Sequence, residues 1–222
     1  MTRKTAARAA VTVIVAVAAL AACGSPAVRD AVTAPTMVPQ DKPGAVGRLR
    51  AALPGGKPPP MAWEGHAQSE EWTAAMLDAL ETEGVTLMSS MPADVLEYCP
   101  GYQRQTPQDR AAFWAGFMSK VAGQESGWNP LSRRGEAVGL LGVTAQAARS
   151  NGCATSLSDV RANLQCGVRI MARNVARDGA ISAPAGDEGR SWRGAARDLL
   201  TLRSGKERGE LATWTRRQDY CR

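Results

Sequence analysis

Glu125 is the residue of this 222-residue chain whose surroundings best suit it to acid chemistry. Phe113, Phe117, Val121 and Glu125 recur at four-residue intervals, so on a helix the carboxylate continues an apolar stripe. A carboxylate there is poorly solvated. Asn129, Pro130 and a run of glycines follow at once, which ends the helix near Glu125 and places the side chain where the chain turns into a loop. The partial negative charge of a helix C-terminus and an apolar wall both disfavour ionisation, and together they predict a raised pKa. A glutamic acid still protonated near neutral pH can donate to a leaving oxygen, the role that burial gives one carboxyl of a glycosidase pair. The competing use is a buried ion pair with Arg133 or Arg134.

The element that carries Glu125 has a well-marked start. Thr106 is a cap, Pro107 occupies the first turn, where its missing N–H costs nothing, and Asp109 faces the positive end of the helix dipole. Upstream, Ser69 opens a helix in which Trp72, Met76, Ala79 and Leu80 face inward until Gly84 stops it. The segment from Pro92 to Gln105 reads as a pinned loop, with Tyr98 and Tyr102 packing near Cys99. Downstream, Thr144 caps a short helix through Arg149. Ser158 begins a longer one with Val160, Leu164, Val168, Met171 and Val175 buried and Gly167 permitting close packing. Ser191 is expected to open a helix through about Arg203, with Trp192, Ala195, Ala196, Leu199 and Leu200 inward, and a last helix runs from Lys206 to Arg216. No strand alternation is evident. The expectation is an all-α domain of five to six helices spanning residues 69–222.

Residues 1–22 belong to export rather than to the fold. Arg3, Lys4 and Arg8 precede an apolar run from Ala9 to Leu20, and small residues lead to Cys23. The run falls short of the roughly 20 apolar residues a bilayer span needs. It resembles a bacterial lipoprotein signal, which implies cleavage before Cys23 and lipid attachment to it. Residues 23–68 hold eight of the thirteen prolines, little periodic apolar pattern and the only histidine, His66, and read as a lipid-anchored Pro-rich linker. Within it, Ala45 to Leu53 has the pattern of a short helix. Without residues 1–22 the formal charge of +6 falls to +3, because only Arg3, Lys4 and Arg8 are lost. Signs are mixed thereafter, as in Arg190, Arg193 and Arg197 beside Asp187, Glu188 and Asp198, which argues against nucleic acid as a partner.

With Cys23 assigned to lipid, Cys99, Cys153, Cys166 and Cys221 form an even set in an exported chain, and two disulfides are expected. Three pairings are open; Cys153 with Cys166 locally and Cys99 with Cys221 closing the domain is the favoured one. Zinc is the rival use, but no Cys-x-x-Cys pair occurs. No metal or cofactor is expected.

The blocks QESGWNP, GEAVGLLGVT and NLQCG, at residues 124–130, 135–144 and 163–167, resemble in order and spacing the motifs of the soluble lytic transglycosylase (SLT-type) family. The resemblance covers about residues 98 to 203. It implies a lysozyme-like fold and peptidoglycan glycan strands as substrate, with Glu125 as the catalytic acid and then base. Cleavage between N-acetylmuramic acid and N-acetylglucosamine would close a 1,6-anhydro ring. It further implies substrate contacts from Ser126, Gly139 and Leu140, with Asn163 at the third block. Two departures stand out. Gly139-Leu140-Leu141-Gly142 ends without the family's usual glutamine, which Gln146 can replace, and the region of Ala195 to Leu199 lacks the tyrosine that usually bonds the catalytic Glu. Glu136 and Asp198 are candidate partners if the reaction is instead hydrolytic, as in a goose-type lysozyme-like hydrolase. A non-catalytic peptidoglycan-binding lipoprotein is the alternative that the departures favour. The implied address is the cell envelope, where an envelope or secretion assembly is a further candidate partner.

Overall fold

The structure, a computed structural model, describes residues 59–153, 156–186 and 191–222, all within one unit spanning residues 41–222. The signal segment, Cys23, the helix expected at Ala45 to Leu53 and the linker up to Pro58 lie outside the described residues. Helices dominate: α1 (Ser69–Glu83), α2 (Val85–Ser89), α3 (Val95–Tyr98), α4 (Pro107–Ser126), α5 (Ala145–Ser150), α6 (Val160–Asp178) and α7 (Gly205–Thr215). They are joined by two small antiparallel sheets. One has the order β1 (Arg133–Arg134), β2 (Ala137–Val138), β3 (Val143–Thr144), and the other pairs β4 (Ser182–Ala185) with β5 (Ser191–Gly194). The all-α expectation is therefore corrected to a mostly helical fold with two sheets. Strands of two to four residues are too short to show a period of two in sequence.

Helix α4 is the core. Thr106 Oγ1 accepts the Asp109 N–H at 3.2 Å while the Asp109 carboxylate accepts from the Thr106 N–H at 3.3 Å, a capping box that satisfies two donors at the helix start. From Ala111 to Ser119 every residue is buried, so the helix is enclosed on all sides rather than on one stripe. It is flanked by α1, α2 and α7, and α6 packs across α1 and α2. Tyr98, Tyr102, Phe113, Trp114 and Phe117 meet edge to face around it, with Trp114 Nε1 donating to Tyr102 Oη at 2.9 Å. Gly167 lets α6 approach the loop before β3, since a Cβ there would stand 2.2 Å from Leu141 Cδ1.

Two segments differ from their sequence reading. Residues 59–68, assigned by their prolines to the linker, lie against the core. Trp63 is fully buried, its Nε1 donates to Thr73 Oγ1 at 2.9 Å, and the Ala62 N–H donates to Ser119 Oγ on α4 at 2.8 Å. The helix expected from Ser191 to Arg203 is instead β5 followed by two 3-10 turns, Ala195–Arg197 and Leu200–Arg203. Gly194 stops any helix there: it has φ +68°, and a Cβ would come within 2.0 Å of the Ala180 carbonyl. The Asp178 carboxylate then gathers the segment, accepting from Gly194 N–H at 2.6 Å and Arg197 Nε at 2.7 Å. Burial pushes this carboxyl up, but Arg197, the Gly194 N–H and Arg177 more than offset it and hold the group well below the usual carboxylate range.

Both disulfides join the pairs favoured from sequence: Cys99 with Cys221 across 122 residues, and Cys153 with Cys166 across 13. Loop closure makes the long one the greater constraint on the unfolded chain. Replacing Cys99 and Cys221 by serine is expected to cost about 4–5 kcal/mol, against about 3 kcal/mol for Cys153 and Cys166. Urea unfolding of the two double variants checks the order.

Candidate active site

Glu125 sits one residue from the end of α4, where Gly127 takes up the left-handed conformation (φ 65°) and its N–H returns to Gly123 O at 2.9 Å. Trp128 also has a positive φ, of 58°, at a cost of roughly 1–2 kcal/mol for a side-chain-bearing residue. The fold recovers it by laying the indole over Gly123, with Nε1 donating to Ser119 O at 2.9 Å. The tryptophan thus closes the helix end. It is half-buried, and its neighbour on the other side is His66, at 5.3 Å between ring centroids.

The Glu125 side chain is 9% exposed. Its Oε1 accepts two hydrogen bonds from one residue: the Thr201 N–H at 3.1 Å and the Thr201 hydroxyl at 2.8 Å. Burial raises the pKa of this carboxyl; the two Thr201 bonds and the charge of Arg134 partly oppose that, and Glu207 adds to it. No ion pair to Glu125 forms among the described residues, so the arginine pairing weighed from sequence is not the arrangement found. Arg133 instead reaches Ser158 Oγ at 3.4 Å. Asp198, weighed as a partner, accepts from Asn174 Nδ2 at 2.7 Å.

Two glycines and one amide shape the loop facing the acid. Gly142 (φ +56°) lies against the carboxyl, since a Cβ there would stand 3.1 Å from Glu125 Oε2. Asn163, fully buried on α6, accepts the Leu141 N–H at 2.9 Å and donates to Val138 O at 2.8 Å and Leu157 O at 3.0 Å. Gly139 has to be a glycine because a Cβ would meet that amide at 2.4 Å. Asn163 therefore holds the loop from beneath. It touches no solvent, and Leu140 is likewise fully buried, so neither side chain forms the surface a substrate would meet. Ser126 is buried and its hydroxyl donates to Ala122 O at 2.9 Å, within its own helix. Gln146 is exposed on α5. Glu136 is exposed in the two-residue turn Gly135–Glu136 between β1 and β2.

The sequence reading did not find Thr201. It lies two residues beyond the Ala195 to Leu199 block, inside the helix expected from Ser191 to Arg203, where a threonine carries no signal of its own. No group of three or more His, Cys, Asp or Glu side chains able to hold a metal ion occurs among the described residues, and no described helix is long and apolar enough to cross a membrane.

The chain is similar in structure to the Bdellovibrio protein DslA. Its wild-type form shares 27% identity at a TM-score of 0.66, the match covering 73% of this chain and 98% of that one. Two variants of DslA, each with one glutamate replaced by glutamine, match at 27% identity and TM-score 0.66, covering 73% and 97%, and at 26% and 0.63, covering 72% and 95%. No protein-family model matches the chain, and neither does any curated protein.

Two substitutions probe the site without any substrate. Asn163→Ala orphans the Leu141 N–H and two carbonyls and is expected to cost on the order of 3 kcal/mol, read by urea unfolding. For Glu125 the folded pKa lies above the unfolded one, so its contribution to stability is present below the unfolded pKa and is lost as pH rises through the folded pKa. Glu125→Gln should therefore gain stability relative to wild type as pH rises from 4 towards 8, and denaturation curves at several pH values measure the difference.

Proposed function

We propose that this protein is a peptidoglycan-cleaving enzyme of lysozyme-like fold and soluble lytic transglycosylase type, with Glu125 as its acid. The observation that carries the reading is a buried carboxyl at a helix end, its pKa raised by burial and its hydrogen-bond donors placed on one oxygen only. Such a group donates its proton to the oxygen bridging N-acetylmuramic acid and N-acetylglucosamine. The resulting carboxylate takes the proton of the muramoyl 6-hydroxyl, which attacks C1 and closes the 1,6-anhydro ring. Water is not consumed, and no second protein carboxylate is required, because the substrate carries its own nucleophile. The motif blocks support the same assignment: the loop that brings Gly142 to Glu125 is the second block, and the amide that holds that loop belongs to the third. We place the enzyme at the cell envelope, exported and anchored through lipid on Cys23.

A second reading is hydrolysis, with Glu136 positioning a water. One observation favours it. The two glutamates replaced in the DslA variants stand eleven residues apart, which is also the separation of Glu125 and Glu136. Glu136 is exposed beside Arg134, a setting suited to a base that handles solvent.

Incubation with purified sacculi and mass analysis of the products separates the readings. Release of 1,6-anhydro muropeptides is expected; reducing ends would establish hydrolysis, and intact sacculi would leave only binding. Glu125→Gln should lower the rate by about 100-fold or more. Glu136→Gln should spare a transglycosylase and disable a hydrolase.

A further inference from the structure

We propose that Thr201 is the positioning residue of the acid: by donating twice to Oε1 it fixes Glu125 so that Oε2 carries the transferred proton. The inference rests on the glycosidase reading above and assigns the atom from which the proton leaves. A backbone N–H can only donate, so at 3.1 Å from Thr201 N the Oε1 atom is an acceptor in either protonation state. The Thr201 hydroxyl, 2.8 Å from the same oxygen, has no other hydrogen-bond partner among the described residues and donates along the second lone pair. With both lone pairs of Oε1 engaged, the proton of the neutral acid resides on Oε2. That oxygen is the one beside Gly142, where a Cβ would lie 3.1 Å away, and it accepts no hydrogen bond from the described residues.

The turn that presents Thr201 is tied on both sides. The Leu202 carbonyl accepts from Ser182 Oγ at 2.6 Å and from Arg208 at 2.9 Å, Leu202 is fully buried, and Arg203 Nε donates to Ala196 O at 2.7 Å. Both donors are thus delivered in fixed positions, without reorganisation as charge appears. When the proton leaves, the Oε2–H bond breaks and the bridging oxygen gains the hydrogen. The C1–O bond opens with its electron pair on that oxygen, and Glu125 becomes a carboxylate. The two Thr201 bonds are then made to a charged acceptor and strengthen, so they favour the transition state over the bound substrate. The charged groups that bear on Glu125 from other elements are Arg134 of β1, which favours the carboxylate, and Glu207 of α7, which opposes it.

Thr201→Val keeps the shape and the N–H while removing the hydroxyl, and Thr201→Ser keeps the hydroxyl. In protein labelled with 13C at the glutamate carboxyls, the Glu125 signal is the one missing from Glu125→Gln, and its titration is read directly. Thr201→Val should move that midpoint to higher pH, because a donor to the charged form is lost. On soluble glycan strands kcat should fall about tenfold with KM unchanged, the alkaline limb of the rate profile shifting the same way as the midpoint. Thr201→Ser should restore both. A folded Thr201→Val protein with unmoved midpoint and unchanged kcat overturns the proposal, as does a loss of kcat that Ser does not restore while the midpoint stays put. If the wild-type protein leaves glycan intact, the glycosidase reading fails instead, and the titration alone then decides whether Thr201 holds the carboxyl.

Discussion

The structure depends on keeping one carboxyl group out of water at the end of a helix that is itself enclosed. A solvated glutamate titrates near 4.3 and has given up its proton well below neutral pH. Glu125 is moved away from that value chiefly by burial, at the end of α4 against Gly142 and the turn of Thr201. Removing a carboxyl from water costs free energy unless its oxygens find donors. Thr201 supplies them to one oxygen and not to the other. Burial therefore raises the pKa of the group, and the two bonds on Oε1 oppose that rise without cancelling it.

That balance needs three chain segments, distant in sequence, to meet at one atom group. Each is secured by its own buried polar residue. Asn163 carries the loop of Gly142 up to the acid, Asp178 gathers the start of the segment that leads to Thr201, and Ser119 ties residue 62 to the flank of α4. These residues are shielded from solvent and hydrogen-bonded, so losing any one leaves partners without bonds in a low-dielectric interior. The long disulfide adds a covalent limit, joining Cys99, just ahead of α4, to Cys221 at the end of the chain. Precision at Glu125 is therefore a property of the whole domain rather than of its motif.

Where local chemistry decides the structure, the sequence was a good guide. Thr106, Pro107 and Asp109 mark the start of α4, Thr144 caps α5, Gly84 ends α1, and the Val160 to Val175 stripe lies inward, because each depends on neighbours within one or two turns. The buried place of Glu125 at a helix end was legible for the same reason: a four-residue apolar repeat ending at a breaker needs nothing distant. Tertiary choices were not legible. Ser191 to Arg203 has helical composition, but Gly194 must approach the Ala180 carbonyl and Asp178, sixteen residues before it in the chain, takes its N–H. Trp63 lies in a proline-rich context, and only its cavity beside Thr73 shows that it belongs to the core. Thr201 inherits both difficulties, being irregular in conformation and partnered across 76 residues.

On the proposed reading, the contrast between Glu125 and Glu136 shows where reaction type is decided. The two have the same side chain and stand eleven residues apart, yet one ends a buried helix and the other sits exposed in a two-residue turn. Burial suits the first to hold a proton, a demand that transglycosylation and hydrolysis share. Exposure suits the second to hold a water, a demand of hydrolysis alone. The helix therefore sets the acid whichever nucleophile is used, and the choice between the substrate's own hydroxyl and water falls to the β1–β2 turn. That turn is exposed, and its own pairing is confined to two residues on each side. Arg134, the last residue of β1 before the turn, bears on Glu125 and favours its carboxylate, so the turn and the acid are electrostatically linked.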